Sequence, residues 1–367
     1  MQIIHNISTI QALNYPIEDL APPTKILFLD IETTGFALKH SCLYLIGCMY
    51  YESNCWHSIQ WFAEDYKEEE KLLKSFLKFS QSFSYLIHYN GNRFDIPYLQ
   101  GKCHQYSLKE NFSSFIGIDI YRRISPYKGF LKLPNLKQKT IESFLQIIRT
   151  DTYDGGQLIS VYHEYIKSQS ESLKNLLLHH NFQDLEGMLH VLPILAYPDI
   201  INLPIKVSKA GRNPYTTLSG ERRTELMITF MLEHPLPVRI AGRWKECYFT
   251  GQGYEAKLRV NIFAGTLRYF YPNYKDYYYL PMEDTAIHKS VASYIDKSHR
   301  QNATASTCYT RKKGLFLPQW EELFTPVFKE HYKDSLTYFE LTDDFKHQRE
   351  NFQLYGEHIL HHMISQT

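Results

Sequence analysis

Apolar and polar positions recur along this chain at two different periods, and the changes of period mark out its elements. Residues 25–31 form a strand-like run between Pro22-Pro23 and Gly35, apolar from Ile26 to Leu29, as expected of a buried strand. Residues 43–51 and 56–62 are further strand-like runs joined by short polar turns, which predicts an antiparallel meander. Over 64–79 the spacing becomes helical: Leu72, Leu73, Phe76, Leu77 and Phe79 recur among Lys and Glu. A strand at 84–89, a helix opening at Asp95 and a short strand at 116–121 follow, and 136–197 reads as helical, including 157–166 and 171–195. Residues 1–22 carry no such pattern and read as a lead-in.

After Pro198 the texture changes. Residues 227–233, 239–250, 254–271 and 277–280 are strand-like, rich in Val, Ile, Tyr and Phe, with Gly and Pro turns between them. Residues 284–295 read as a helix, 304–317 and 336–341 as strands, and 344–363 as a closing helix. The predicted organisation is therefore two domains. Residues 1–204 would be an α/β domain whose mixed sheet combines an antiparallel meander with parallel strands and is flanked by helices. Residues 205–367 would be an α+β domain.

Charge sharpens that division. The chain has 367 residues and a formal net charge of +1. Residues 205–320 carry 18 basic against 9 acidic side chains, whereas 1–204 carry 18 against 21 and 321–367 carry 4 against 9. A basic central segment containing many of the 29 tyrosines points towards nucleic acid. The six cysteines have no paired spacing, which excludes a zinc knuckle or a disulfide framework. No run approaches the ~18 apolar residues of a membrane span, and the first residues lack the charged-then-apolar order of a leader. A reduced, cytoplasmic protein is the expectation.

The candidate chemistry starts at Asp30 and Glu32. Two residues apart on a strand, they face the same side. A close pair of carboxylates leaving water must neutralise or find a cation, and a divalent metal serves. Asp-x-Glu also occurs on ordinary surface strands, so the downstream acids decide its meaning. Asp95 closes Asn90-Gly91-Asn92-Arg93-Phe94-Asp95, and Asp184 closes His179-His180-Asn181-Phe182-Gln183-Asp184 on a predicted helix. Strand ends of an α/β sheet converge on one edge, and a helix crossing that edge would bring Asp184 there. Asp30, Glu32, Asp95 and Asp184 would then be the metal ligands for two Mg²⁺ or Mn²⁺ ions about 3.5–4 Å apart. Taken singly, Asp95 also suits a helix cap, and Asp119 suits either a supporting acid or a strand-end cap. Asn90 would hold the substrate strand or orient Asp95.

These residues resemble the motifs of the DEDD (DnaQ-like) 3′→5′ exonuclease superfamily. Asp30-x-Glu32-Thr33-Thr34-Gly35 looks like its first motif, Asn90 to Asp95 its second, and the segment ending at Asp184 its third. Residues 25–190 are more closely similar to the YprB-type ribonuclease H-like proteins. The middle region also matches: Leu136-Lys137-Gln138-Lys139-Thr140-Ile141-Glu142, then Arg149, Asp151 and Asp154-Gly155-Gly156. The resemblance implies a ribonuclease H-like fold and a two-metal phosphodiester hydrolase. That superfamily places a Tyr four residues before the last Asp or a His five before it; here His180 and His179 take those positions. His180 shares a helix face with Asp184 and is the expected general base, His179 being turned away by ~100°. A helix-surface His pair without a role is the plainer alternative.

The second half offers less. Asp284 and His288 would share a helix face, most simply as a cap and a packed or solvated ring. Arg311, Lys312 and Lys313, near Tyr269, Tyr271, Tyr274 and the tyrosines at 277–279, offer cations for phosphates and rings for bases. A solvated edge strand is the alternative. The whole reads as a 3′→5′ exonuclease of single-stranded DNA or RNA; the rival is a non-catalytic nucleic-acid binder on the same scaffold.

Overall fold

A six-stranded sheet organises the first half of the chain. Its strands are β1 (Gln2–Ile7), β2 (Ile26–Thr33), β3 (Leu43–Glu52), β4 (Cys55–Phe62), β5 (Tyr85–His88) and β6 (Ile116–Asp119), in the spatial order β1-β4-β3-β2-β5-β6. The computed structural model describes residues 1–149, 153 and 155–365. It divides into two units, Met1–Asp199 with Leu236–Val238, and Ile200–Pro235 with Arg239–Thr367.

β2, β3 and β4 form the expected meander. The turn between β3 and β4 has two residues, Ser53 and Asn54, both at positive φ, the twist that suits a tight hairpin. β2 then pairs in parallel with β5, and β5 with β6. Flanked on both sides, β2 buries Ile26, Leu27 and Phe28 completely, which is why its sequence is an unbroken apolar run. One expectation is corrected here. Residues 2–7 belong to the sheet as β1, antiparallel to β4 from Gln2↔Phe62 to Ile7↔His57. As an edge strand it leaves most of its side chains exposed, Ile3 and Ile7 among them, so its isoleucines form no buried stripe.

The helices of this unit are α1 (Glu69–Ser80), α2 (Asp95–Gln105), α3 (Ile120–Ile124), α4 (Gln138–Phe144), α5 (Gly155–Ser168) and α6 (Glu171–Val191). Leu72, Leu73 and Phe76 of α1 join Trp61, Tyr44 and Phe62 of the sheet and Tyr162 of α5 in one core cluster. The boundary between units falls within α7 (Ala196–Asn202).

The second unit is mostly strand. One sheet consists of β7 (Lys206–Thr216), β8 (Arg222–Trp244) and β9 (Cys247–Asn261). The others are built from β10 (Phe263–Phe270), β11 (Tyr277–Leu280), β12 (Thr285–His288), β13 (Gln301–Asn302), β14 (Tyr309–Gln319) and β15 (Thr337–Glu340), in the orders β10-β14-β15 and β12-β11-β13. Helices α8 (Asp343–His347) and α9 (Arg349–Ser365) close the chain. β8 runs through Pro235 and Pro237, which lie past Met231, the last residue paired with β7, so the missing N–H groups break no bond of that ladder.

The helix expected at 284–295 is absent. Thr285–His288 forms β12, antiparallel to β11, with Tyr277 opposite His288. Asp284 turns the chain at φ 49, and its carboxylate accepts from the hydroxyls of Tyr279 and Tyr309. Cross-strand tyrosine contacts outweigh a short helical pattern. Among the described residues no helix is long and apolar enough to cross a membrane.

Candidate active site

The site begins where β2 leaves the core. Asp30 and Glu32 lie opposite Gly47 and Leu45 of β3. Gly47 decides what can pack above them: a Cβ there would fall 2.0 Å from Asn181 Oδ1. Without it α6 settles against the sheet, and Asn181 is completely buried. Its Nδ2 donates to Asp30 Oδ2 at 2.7 Å, while its Oδ1 accepts from Gln60 Nε2 at 2.8 Å. Gln60 thereby fixes which end of the Asn181 amide meets Asp30.

One residue earlier on α6, His180 is 4% exposed. Its Nε2 lies 3.1 Å from Asp184 Oδ2 and 3.5 Å from Glu32 Oε1. One donor atom each from Glu32, His180 and Asp184 lie within 4.8 Å of one another. His179 is exposed. Asp95 enters from the start of α2, after a turn through Asn90 at φ 61. Backbone N–H groups of Ile31 and of Asp95 itself hold its carboxylate beside β2.

The electrostatics are those of crowded acids. Burial, then the charges of Asp184, Glu32 and Asp95, push the Asp30 carboxyl well above its ordinary range; the Asn181 amide only partly opposes them. Burial pushes Asp95 up to about 7, against the pull of its two backbone donors. Burial acts upward on Asp184 too, but hydrogen bonds and charge from His180 and Arg149 outweigh it and hold that carboxyl below its ordinary range.

Arg149 was not among the expected site residues. Its Nη1 lies 2.6 Å from Asp184 Oδ1 and 3.3 Å from Glu142 Oε1, with only 10% of the side chain exposed. Gln138 Nε2 reaches the Asp184 carbonyl at 3.0 Å and Glu142 Oε1 at 3.1 Å. α4 thus braces α6 at Asp184. The available signal was the middle-region match, in which Gln138, Glu142 and Arg149 all fall. Asp151 and Asp154 of that match lie outside the described residues.

Other expected residues have different surroundings. Asp119 caps α3, accepting from Arg122 N at 3.3 Å, and also accepts from Asn90 N at 2.9 Å. It organises the turn that leads to Asp95. In the second unit Arg311 pairs with Asp284 at 3.2 Å and Lys312 with Glu340 at 2.5 Å. Lys313 sits opposite Thr266 of β10.

The donor set fits divalent metal ions. Glu32 and Asp184 bring hard carboxylate oxygens together beside His180, and Asp30 and Asp95 are acids that burial, followed by neighbouring acid charges, pushes upward. The fold is ribonuclease H-like: residues 27–196 match the family RNase_H_2 of the RNase_H superfamily. Three solved structures are similar at low identity. The family B DNA polymerase of the archaeon Pyrobaculum calidifontis is 10% identical, with a TM-score of 0.38, over 70% of this chain and 35% of that one. An ExoI/SSB-Ct complex is 12% identical, with a TM-score of 0.28, over 56% of this chain and 55% of that one. The zinc-bound form of the E. coli ExoI–ssDNA complex is 11% identical, with a TM-score of 0.28, over 93% and 71%. The matched part of the polymerase is thus about a third of its length, and that of the first ExoI structure about half. No curated protein sequence matches the chain.

Proposed function

We propose that the first unit hydrolyses phosphodiester bonds of nucleic acid, as a 3′→5′ exonuclease of single-stranded DNA or RNA using two Mg²⁺ or Mn²⁺ ions, in the reduced cytoplasm. Within the RNase_H superfamily we place it with the YprB-type proteins, on the order and spacing of its motifs. One observation carries the reading. Carboxylates from β2, α2 and α6 share one electrostatic cluster, in which His180 bridges Glu32 and Asp184.

Asp30, Glu32, Asp95 and Asp184 would hold the ions. Once bound, such ions supply a water of lowered pKa and neutralise charge on the phosphate. The remaining work belongs to the chain. His180 stands at the carboxylates, where its neutral ring can accept the proton of the attacking water. Asn181, aligned by Gln60, keeps Asp30 in one orientation. Arg149 holds the Asp184 carboxylate and Gln138 its backbone carbonyl. Asn90 would contact the substrate strand, and Arg311, Lys312 and Lys313 of the second unit would bind nucleic-acid phosphates.

The test is a 5′-labelled single strand incubated with the full chain and Mn²⁺ or Mg²⁺. Progressive shortening is expected, abolished by a blocked 3′ end and by Asp30→Asn. Internal cuts in the blocked strand would overturn the exonuclease direction. Undiminished full-length strand with wild type, together with no calorimetric binding of Mn²⁺, would leave a nucleic-acid binder without catalysis.

A further inference from the structure

We infer that Glu321, His358 and His362 form a binding site for a zinc-class divalent cation in the second unit, tying α9 to the turn that follows β14. The inference is independent of phosphodiester hydrolysis and of the acid cluster on β2.

His358 and His362 are four residues apart on α9 and share one face. Glu321 follows Trp320 just beyond the end of β14 at Gln319. One ring nitrogen from each histidine and one carboxylate oxygen of Glu321 lie within 4.8 Å of one another. His362 Nε2 is 3.6 Å from Glu321 Oε1. That is less than twice the ~2.1 Å of a zinc–imidazole or zinc–carboxylate bond, so one ion can touch both.

His362 Nε2 is also covered from solvent and has no hydrogen-bond partner among the described residues. Buried polar nitrogens normally find a partner, and a cation provides one here. The two rings are held in direction by aromatic neighbours. His362 stacks on Trp244 with the planes 4° apart, and His358 lies along Trp320 with an interplanar angle of 27°. The backbone N–H of Trp320 points at His358 Nε2 from 3.2 Å, which keeps a lone pair of that ring directed at the turn carrying Glu321. A cation takes that lone pair in place of one long hydrogen bond.

Neutral imidazole is the form that ligates. The charged groups around the site are Glu321, Glu357, His361 and Lys245, the last stacked over Trp244 and Trp320. Two imidazoles and one carboxylate suit Zn²⁺ and disfavour Mg²⁺, which prefers an all-oxygen shell. The groove beside them, ≈ 520 Å³ and lined also by Leu323 and Leu354, leaves a fourth position for water.

The test uses the full chain carrying Asp30→Asn and Asp184→Asn, which removes acids of the β2 cluster. Calorimetry with ZnCl₂ should give one saturable site per chain, and Zn²⁺ but not Mg²⁺ should raise the unfolding temperature. Glu321→Gln alters a side chain that is 74% exposed, so the fold survives, and it should weaken Zn²⁺ about tenfold or more. His362→Asn should abolish the site. Absence of saturable binding would overturn the inference. So would zinc binding that Glu321→Gln and His362→Asn leave unchanged, because the metal would then sit on unrelated histidines.

Discussion

Glu69 and Asp30 are carboxylates of the same α/β unit, and their surroundings are opposite. Glu69 is 3% exposed and fully provided for. Lys102 Nζ lies 2.9 Å from its Oε1, Leu43 N donates to Oε1 at 2.6 Å, and the Tyr106 hydroxyl donates to Oε2 at 2.7 Å. Lys102 itself donates to the Ser41 carbonyl at 2.6 Å. Among the described residues Asp30 accepts from the Asn181 amide, and the charges that press on it are those of Asp184, Glu32 and Asp95. An acid saturated by protein donors holds structure together. An acid left short beside other acids stores an electrostatic cost that a bound cation or a proton removes. The second unit repeats the first pattern at Asp284, whose carboxylate is taken by two tyrosine hydroxyls and by Arg311 and lies below its ordinary range. Arg311 and Lys312 are therefore partly committed to acids of their own unit, a competition that any phosphate must win.

The contrast can be broken at either member. Lys102→Ala strips Glu69 of its cation and should cost about 3–5 kcal/mol, the loss typical of an orphaned buried charge; denaturant unfolding measures it, and a change below about 1 kcal/mol would contradict the structural role given to the pair. Asp30→Asn should behave in the opposite way. Removing one of several repelling charges should leave the metal-free chain at least as stable, while hydrolysis falls by about 10²-fold or more. A parallel fall in thermal stability would mean that Asp30 is structural after all.

Gly47→Ala probes the geometry between the two. The new methyl meets Asn181 Oδ1, so α6 must shift, at about 1–3 kcal/mol of overpacking. Activity should fall because Asn181, His180 and Asp184 move together. Unfolding and rate measurements on one preparation check both effects.

The gentlest probe is pH. Asp95 titrates near 7 when folded against an ordinary value of 3.8, so between those values the folded chain holds protons that the unfolded chain has released. Stability of the metal-free protein should accordingly fall as pH rises from about 4 to about 7, by at most about 1.4 kcal/mol per pH unit for each such proton. Asp30, also raised, acts in the same sense. Asp184, lowered, contributes stability that is lost only in stronger acid. Urea titrations in EDTA would measure the slope, and saturating Mg²⁺ should flatten it; a slope unchanged by metal would detach these carboxylates from any ion.

Much of this was legible in the chain itself, wherever the cause was local. The apolar run of β2 announces a strand covered on both faces, and Asp30 with Glu32 must share a side because the strand period is two. The helical spacing of α1 and α6, and the choice of His180 over His179 as the partner of Asp184, follow from the angle between successive residues. β1 escaped because at the sheet edge its isoleucines are largely exposed and make neither an unbroken run nor a clean alternation. β12 escaped because its pairing with β11 depends on tyrosines brought together across a turn.

The sequence by itself determined most of the order of elements from β2 to α6 and which acids are candidates, since period and residue type act over a few neighbours. Only the tertiary structure decided how those acids are compensated. The seat of α6 on Gly47, the Gln60–Asn181–Asp30 chain and the bracing of Asp184 by Arg149 all join residues far apart in the chain. So does the meeting of Glu321 with His358 and His362. Whether a carboxylate is satisfied or left short depends on what packing brings within a few ångströms of it.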